Sequence, residues 1–330
     1  MFSPESNIKA AARHLLAGGL VAMPTETVYG LGADALNEEA VSKIYSTKGR
    51  PKNHPLIVHV HKDADLDFWA KKIPNHARKL IEAFWPGPLT LVFKKTDIVP
   101  DFITGGQDTV AIRSPNHTVA QALLKEFATL KTNSGIVAPS ANIFGHVSPT
   151  KNEHVLSEFP NQKDLFFLEG DSSEIGIEST ILDLSREDIG PVLLRPGHIS
   201  KKDIQKIIGI YPKDKDESAP VVSGSLKSHY APKVPIYAED KLNEQSFLKE
   251  IRDKKIAFLQ YSNQKKSYLK ESNLNIISMP SDAKKYASII YDVLRNIELQ
   301  NYDLIIIEKL PQDIEWDGVR DRLSRALAAY

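Results

Sequence analysis

The chain of 330 residues contains no cysteine. Disulfides, thiolate zinc sites and a cysteine nucleophile are therefore excluded together, and the composition fits a reducing compartment. Net charge is also lacking, because 42 basic and 42 acidic side chains cancel to +0. A protein that holds nucleic acid mainly by counterion release carries a basic excess, so whole-chain charge argues against that role. No run approaches the roughly 18 apolar residues that a membrane span needs. The start, MFSPESNIKAAARHLL, places an acid and a proline where a signal peptide carries basic residues. The expectation is a cytoplasmic protein without membrane attachment.

The common nucleotide and hydrolase motifs are missing as well. There is no G-x-x-x-x-G-K-[ST], which excludes a P-loop, and no H-E-x-x-H, G-x-S-x-G or EF-hand loop. Gly30-Leu-Gly32-Ala-Asp-Ala35 has the form of an alanine-ending dinucleotide fingerprint. It lies well past its strand, and no acid follows about 20 residues on, so it is rejected.

What is present is the balance of a globular protein, with 42% apolar and 25% charged residues. The length suits two domains, at roughly 150 residues each. Asn7–Ala17 reads as an amphipathic helix stopped by Gly18-Gly19. Short apolar runs of strand length follow at Leu20–Met23, Leu56–Val60, Leu89–Phe93, Thr109–Ile112, Ile136–Ala138, Thr180–Leu184 and Val192–Leu194. Helical patterns lie between them at Glu38–Ser46, His76–Phe84 and Thr118–Phe127. The fold class expected is α/β with a mixed sheet. From about Lys201 to Lys233 the chain turns polar and reads as a short helix followed by a linker. Strands at Ile256–Gln260, Asn275–Ser278 and Asp303–Ile307 then alternate with helices at Ala283–Ile297 and Val319–Ala329, the pattern of a small doubly wound domain. The division expected is 1–205, a linker at 206–234 and a second domain at 235–330.

The strands share a feature at their ends. Leu20–Met23 leads into Pro-Thr25-Glu26-Thr27, and Thr109–Ile112 ends in Arg113. Ile136–Ala138 runs into Pro-Ser140-Ala-Asn142, Ser179-Thr180 opens a strand, and Arg195-Pro-Gly closes one. Ligand groups converge at strand ends in α/β sheets, and arginine with hydroxyl donors describes a pocket for carboxylates or phosphates. Taken singly, each residue is equally an ordinary exposed loop residue. The pattern implies an anion pocket and no particular reaction.

Read as strings, the same segments are PTETVYGLG (24–32), KGRPKNHPLIVH (48–59), WPGPLT (85–90), VAIRSP (110–115), APSAN (138–142) with Ser148-Pro-Thr150, GIEST (176–180) and LRPG (194–197). Together and in this order they resemble the YrdC-type domain of the threonylcarbamoyl-AMP synthases, over about residues 5–200. SHYAPK (228–233) ahead of a smaller α/β domain resembles the long two-domain form. The resemblance implies a YrdC-like twisted mixed sheet with helices, followed by a small Rossmann-like domain. It also implies an activity: condensing L-threonine, bicarbonate or CO2, and ATP into threonylcarbamoyl-AMP, with release of pyrophosphate. Downstream transferase proteins then carry the threonylcarbamoyl group to position 37 of tRNAs, so any tRNA contact of the synthase itself is indirect. Magnesium would accompany ATP, and no metal ligands are assigned in the chain.

By the same resemblance Thr27, His59, Arg113, Ala138 and Ser179 contact threonine, while Lys48, Arg50, His54, Thr109, Ser140, Ser148, Arg195 and His229 contact ATP. The residues have plainer readings too: a helix cap for Thr27, a strand histidine for His59, a surface salt bridge for Arg113, and a solvated basic helix end for Lys48 and Arg50. Pro51 is expected to turn Arg50 out of the helix. Asn142 is expected to shape its loop. Two positions depart from the family pattern, which commonly has asparagine where His54 stands and often threonine where Ala138 stands. His229 resembles the position from which long-form members reach over the nucleotide, implying a flexible lid that excludes water. No triad or dyad is visible, so no catalytic residue is assigned beyond groups that position substrates. Two other functions stay open. One is an RNA-binding module without chemistry, although no base-stacking aromatic platform is evident. The other is a carbamoyl-phosphate-dependent transfer domain like that of hydrogenase maturation factors, which usually carry zinc-finger cysteines.

Overall fold

The structure, a computed structural model, describes residues 4–262 and 274–330. Two compact units divide it: the chain up to Phe144 with Ser148–Ser225, and Gly145–Val147 with Leu226–Tyr330. The linker expected at 206–234 straddles that division.

In the first unit the elements run α1 (Pro4–Leu16), β1 (Leu20–Met23), β2 (Gly30–Asp34), α2 (Glu38–Lys48), β3 (Ile57–His59), β4 (Ala70–Lys71) and α3 (Asn75–Phe84). They continue with β5 (Leu89–Lys95), α4 (Asp101–Thr104), β6 (Thr109–Arg113), α5 (Thr118–Leu130), β7 (Ile136–Val137) and α6 (Asn152–Glu158). The last are β8 (Leu165–Phe167), β9 (Thr180–Asp183), β10 (Val192–Arg195), α7 (Lys201–Ile208) and β11 (Lys213–Asp214). Among the described residues these strands form one mixed sheet, in the order β11-β10-β9-β5-β6-β3-β7-β2-β1-β8, with β4 added on β5. Every expected strand of this region is present within a residue or two. Two that the pattern did not suggest, β2 and β8, flank β1 on either side. Gly30 and Gly32, the pair rejected as a dinucleotide fingerprint, lie inside β2, where a Cβ on Gly32 would come within 2.9 Å of the Ile136 side chain.

Register decides what each face of the sheet carries. Pairs Ile57–Ala111 and His59–Arg113 across β3 and β6 put Ile57, His59, Thr109, Ala111 and Arg113 on one face. Leu56, Val58, Val110 and Ile112 point the other way and join Leu91, Phe93 and Leu182 in the main core. The first face is covered at one end by α1 and α5, through Ala11, Leu15, Leu123 and Phe127 packed on Val21, Met23 and Ile136. Beyond that cover it carries the residues expected to bind ligand.

Helix ends are well determined. Asn37 caps α2 by accepting the Ala40 N–H, and Gly49, at φ 64°, ends it in the left-handed region. The turn that releases Arg50 is thus made by Gly49, ahead of Pro51. Ser200 and Asp203 form a reciprocal capping box on α7.

The second unit comprises β12 (Ile236–Ala238), α8 (Gln245–Glu250), β13 (Ile256–Gln260), β14 (Leu274–Ser278), α9 (Ala283–Leu299), β15 (Leu304–Ile307) and α10 (Asp317–Leu327). Its four described strands are all parallel, in the order β12-β15-β13-β14. The central strands read IAFLQ and LIII, nearly continuous apolar runs, because helices cover a parallel sheet on both faces. Among the described residues no helix is long and apolar enough to cross a membrane.

Candidate functional site

The exposed part of the first unit's sheet face is organised around its arginines. Arg113, the last residue of β6, is only 4% exposed. Its Nε donates to the Gly87 carbonyl at 3.2 Å and its Nη1 to Thr27 Oγ1 at 2.8 Å. Its Nη2 lies 2.7 Å from Glu26 Oε2, and that carboxylate is equally buried. Neither Glu26 oxygen receives an aligned hydrogen bond, so charge alone holds the pair. A buried acceptor left in that state costs about 1–3 kcal/mol, and such atoms commonly mark places built for a ligand. Gly87 is required by close approach, since a Cβ there would stand 2.1 Å from the Phe84 carbonyl oxygen. This explains the glycine of WPGPLT.

Thr27 is fully buried, with its hydroxyl 3.0 Å from that of Thr25. Thr25 accepts from the Val28 N–H, so the helix-cap reading expected for these threonines gives way to a tight hydroxyl turn after β1. His59 stands beside Arg113 in register. Burial, reinforced by the Arg113 charge, pushes its pKa down to about 3. The ring is therefore neutral near pH 7, and its Nδ1 lies 3.2 Å from the Ile57 carbonyl. A carbonyl only accepts, so this contact is a hydrogen bond in the tautomer that carries its proton on Nδ1, and the Ile136 main chain also bonds the ring.

One step beyond the Leu91–Ile112 pair, Thr90 faces Arg113 across β5 and β6. The Thr90 hydroxyl lies 2.7 Å from Ser179 Oγ. Ser179 in turn receives Arg195, whose Nε and Nη2 reach its carbonyl at 3.1 and 2.9 Å. Nη1 of Arg195 donates to the Ser223 carbonyl at 2.9 Å, and the Ser223 hydroxyl accepts from Arg50 Nη2 at 3.1 Å. From Thr90, the register neighbour of Arg113, a run of hydrogen bonds thus reaches Arg50 through Ser179, Arg195 and Ser223. Arg50 also donates to Pro55 O at 3.0 Å and lies over the Phe144 ring.

Lys48 closes this end. Its ammonium donates to the carbonyls of Ser140 and Asn142 and is 2% exposed. Burial, and then the nearby Arg50 charge, lower its pKa well below the usual lysine value. Ala138 follows β7 with its N–H donating to Ile57 O at 3.3 Å, and Ser140 bridges to Gly30 of β2. Thr109 is buried at the start of β6. Ser148 donates to Glu178 Oε1 at 2.6 Å, directly before Ser179 in the chain. His54 sits edge-on to Phe144, with ring centroids 5.5 Å apart. Burial and Arg50 lower its pKa. His229 belongs to the second unit, where its ring lies against Tyr230 at 4.1 Å.

Of the thirteen residues singled out from sequence, twelve therefore lie in the first unit, most of them on this face or the loops at its rim. Sequence reasoning missed Glu26, Thr90, Glu178 and Ser223. The first three stand inside strings it quoted, but what marks them, burial against a partner far along the chain, is not written in those strings. For Ser223 the sequence carries no signal either. Ala219–Ser223 folds back over the face, with Val222 packed against Ile57, Val92, Ile181 and Val192. The space remaining among Pro55, Thr109 and Val221 is about 10 Å³.

Comparison with known proteins gives the family. Residues 13–197 match the Sua5/YciO/YrdC family model, described as telomere recombination. Residues 199–328 match the C-terminal domain of threonylcarbamoyl-AMP synthase. The threonylcarbamoyl-AMP synthase of Pyrococcus abyssi is 36% identical over 98% of this chain and 94% of its own. That of Bacillus subtilis is 37% identical over 98% and 93%. A structure of P. abyssi Sua5 complexed with L-threonine matches with a TM-score of 0.84 at 34% identity, covering 97% of this chain and 94% of that one. With both parts matched in order and nearly full-length relatives, the chain belongs to the threonylcarbamoyl-AMP synthase family.

Proposed function

We propose that this chain is an L-threonylcarbamoyladenylate synthase, joining L-threonine, bicarbonate or CO2, and ATP, and that the sheet face of the first unit is where it does so. The observation that carries the reading is the placing of the buried Arg113, Arg195 and Arg50 along one sheet face, with a run of hydrogen bonds from Thr90 through Ser179, Arg195 and Ser223 to Arg50 and with Lys48 beside it. One end of that set matches an amino acid. Arg113 presents a guanidinium fork to a carboxylate, and Glu26 supplies the opposite charge that an α-ammonium seeks. Thr27, neutral His59 and Ser179 offer hydroxyl and imidazole partners for the threonine side chain. The other end, with Lys48, Arg50, Arg195 and the hydroxyls of Thr109, Ser140 and Ser148, suits the triphosphate. His54 and His229 belong with it by resemblance.

The chemistry balances without an acid–base dyad. The deprotonated threonine amine adds to CO2, forming a C–N bond and a carbamate, with one proton lost. Starting from bicarbonate, water leaves instead. A carbamate oxygen then attacks the α-phosphorus in line as the bond to the β-phosphate bridge breaks, and pyrophosphate departs with the electron pair. Such transfer needs positioning and charge neutralisation above all. Magnesium would accompany ATP and help to neutralise the triphosphate charge. Discrimination against alanine-like competitors rests on hydrogen bonds to the threonine hydroxyl, since a site group left unpaired costs about 10⁴–10⁵. The extra methyl over serine is worth only about 10–200-fold.

By resemblance to the family, the product would pass to transferase proteins that modify tRNA, with the whole sequence of steps in the cytoplasm. The test of the reaction itself is to mix protein, ATP, magnesium and bicarbonate with each amino acid in turn and follow the adenylate by mass spectrometry. Threonine should give the carbamoyl adenylate and pyrophosphate in equal amounts. Adenylate with no dependence on threonine, or none at all, would overturn the reading.

A further inference from the structure

The second unit holds a cavity of about 640 Å³, within the roughly 300–1,000 Å³ typical of small-molecule sites. Its place in the fold is informative. Ala238 and Ile307, paired at the ends of β12 and β15, form part of its wall. From β12 the chain passes to α8, whose Phe247 packs on the face bearing Ile256, Phe258 and Ile306. From β15 it passes to α10, which touches β12 and α9 and lines the cavity from the face bearing Ala238 and Ile307. Two neighbouring parallel strands thus send their connections to opposite faces. That is a topological switch point, and the crevice outside the carboxyl ends of such strands is where α/β sheets bind ligands.

The lining chemistry narrows the ligand. Arg320, Leu323, Ser324 and Leu327, at helical spacing, present the flank of α10 rather than its N-terminus. Leu323 and Leu327 with Ile307 make an aliphatic wall. At the strand ends stand the carboxylates Glu239 and Glu308, with Asp240 beside them. Glu239 ties the two strand ends together by accepting the Lys309 N–H at 3.0 Å. Glu308 is buried and committed, one oxygen accepting the N–H groups of Tyr261 and Ser262 at 2.8 and 2.9 Å and the other the Ser262 hydroxyl. A carboxylate at the end of a strand in this architecture receives ribose hydroxyls. A phosphate is poorly served here. Neither 238–245 nor 307–316 contains glycine, the short turn that starts at Glu239 opens with two carboxylates, Arg320 donates to the carbonyls of Pro311 and Asp313 and to Asp317, and the other lining cation, Lys309, stands among Glu239, Asp240 and Glu308.

We propose that this cavity binds a neutral nucleoside, its ribose hydroxyls toward the carboxylates of Glu239 and Asp240 just after β12 and its base against the aliphatic wall of α10. The cavity shares no residue with the sheet face of the first unit, so its fate leaves the synthase reading untouched. The probes are adenosine, uridine and AMP, titrated calorimetrically into the full chain. Saturable binding of a nucleoside, with AMP weaker by about tenfold or more, is expected. Ser324 is exposed on α10, so Ser324→Trp should fill the cavity and weaken nucleoside binding by about tenfold or more while adenylate formation stays at the wild-type rate. Should that variant not fold, hydrogen exchange of the wild-type chain decides: nucleoside should protect amides in 238–243 and 307–312. No saturable binding of either nucleoside, binding that survives Ser324→Trp, AMP binding as tightly as adenosine, or protection confined to the first unit would each overturn the proposal.

Discussion

The two ends of the candidate site handle buried charge in opposite ways. At the Arg113 end a cation and an anion, each 4% exposed, face one another at 2.7 Å. At the Lys48 end the amine is wrapped by main-chain carbonyls and its charged form is disfavoured. A balanced pair suits a zwitterion, which replaces each charge by its like. A desolvated cation suits a polyanion, whose arrival restores the charge that burial opposes. Amino acid at one end and triphosphate at the other is thus what the electrostatics favour.

The largest effect should come from breaking the balanced end. Arg113→Ala leaves Glu26 buried without its counter-charge, and truncating one member of such a pair costs about 2–5 kcal/mol. Threonine-dependent pyrophosphate release should fall by about 100-fold or more in kcat/KM, with the circular dichroism spectrum retained. Near wild-type turnover would remove Arg113 from the site. Next come Lys48→Ala and Arg50→Ala. Each removes charge-assisted hydrogen bonds worth about 1.5–3 kcal/mol, so the KM for ATP should rise by about 10- to 100-fold while that for threonine moves far less. An equal rise in both would erase the distinction between the ends.

A third contrast is read in stability. The unfolded chain protonates His59 near its ordinary value of 6.5, and the folded chain only near 3. The unfolded state therefore binds the extra proton in that window. Stability is full above pH 6.5 and falls as pH drops toward 3, by up to about 1.4 kcal/mol per pH unit for this one group. His59→Gln should flatten the acid limb of a urea-unfolding series between pH 7 and 4, and an unchanged limb would contradict the burial argument. The smallest effect belongs to Ser223. Its hydroxyl accepts from Arg50 Nη2, which also bonds Pro55 O, so Ser223→Ala should tighten a non-hydrolysable ATP analogue by about 2- to 10-fold, less than the full worth of a charge-assisted hydrogen bond. Weaker binding would make Ser223 a nucleotide contact instead.

Much of this molecule is legible in one dimension. Strands such as Leu20–Met23 and Ile256–Gln260 coincide with apolar runs because burial of alternate or all side chains writes itself into composition. β2 escaped because GLGAD has two glycines and no β-branched residue; only its neighbours make it a strand. β12 escaped because three residues after a proline-rich stretch carry no periodicity. Arg113, Lys48 and Arg195 were accessible as cations at element ends. Glu26 was not, since its meaning lies in a partner 87 positions along the chain. Ser223 could not be found either, because its bonds to Arg50 and Arg195 arise when a polar segment folds back over the sheet.

The central claim is that one face holds both substrates at separable ends, and calorimetric titration tests it most directly. Arg113→Ala should lose threonine binding yet keep a non-hydrolysable ATP analogue, while Lys48→Ala should lose the analogue yet keep threonine. Both variants losing both ligands alike, or neither variant losing either, would contradict it.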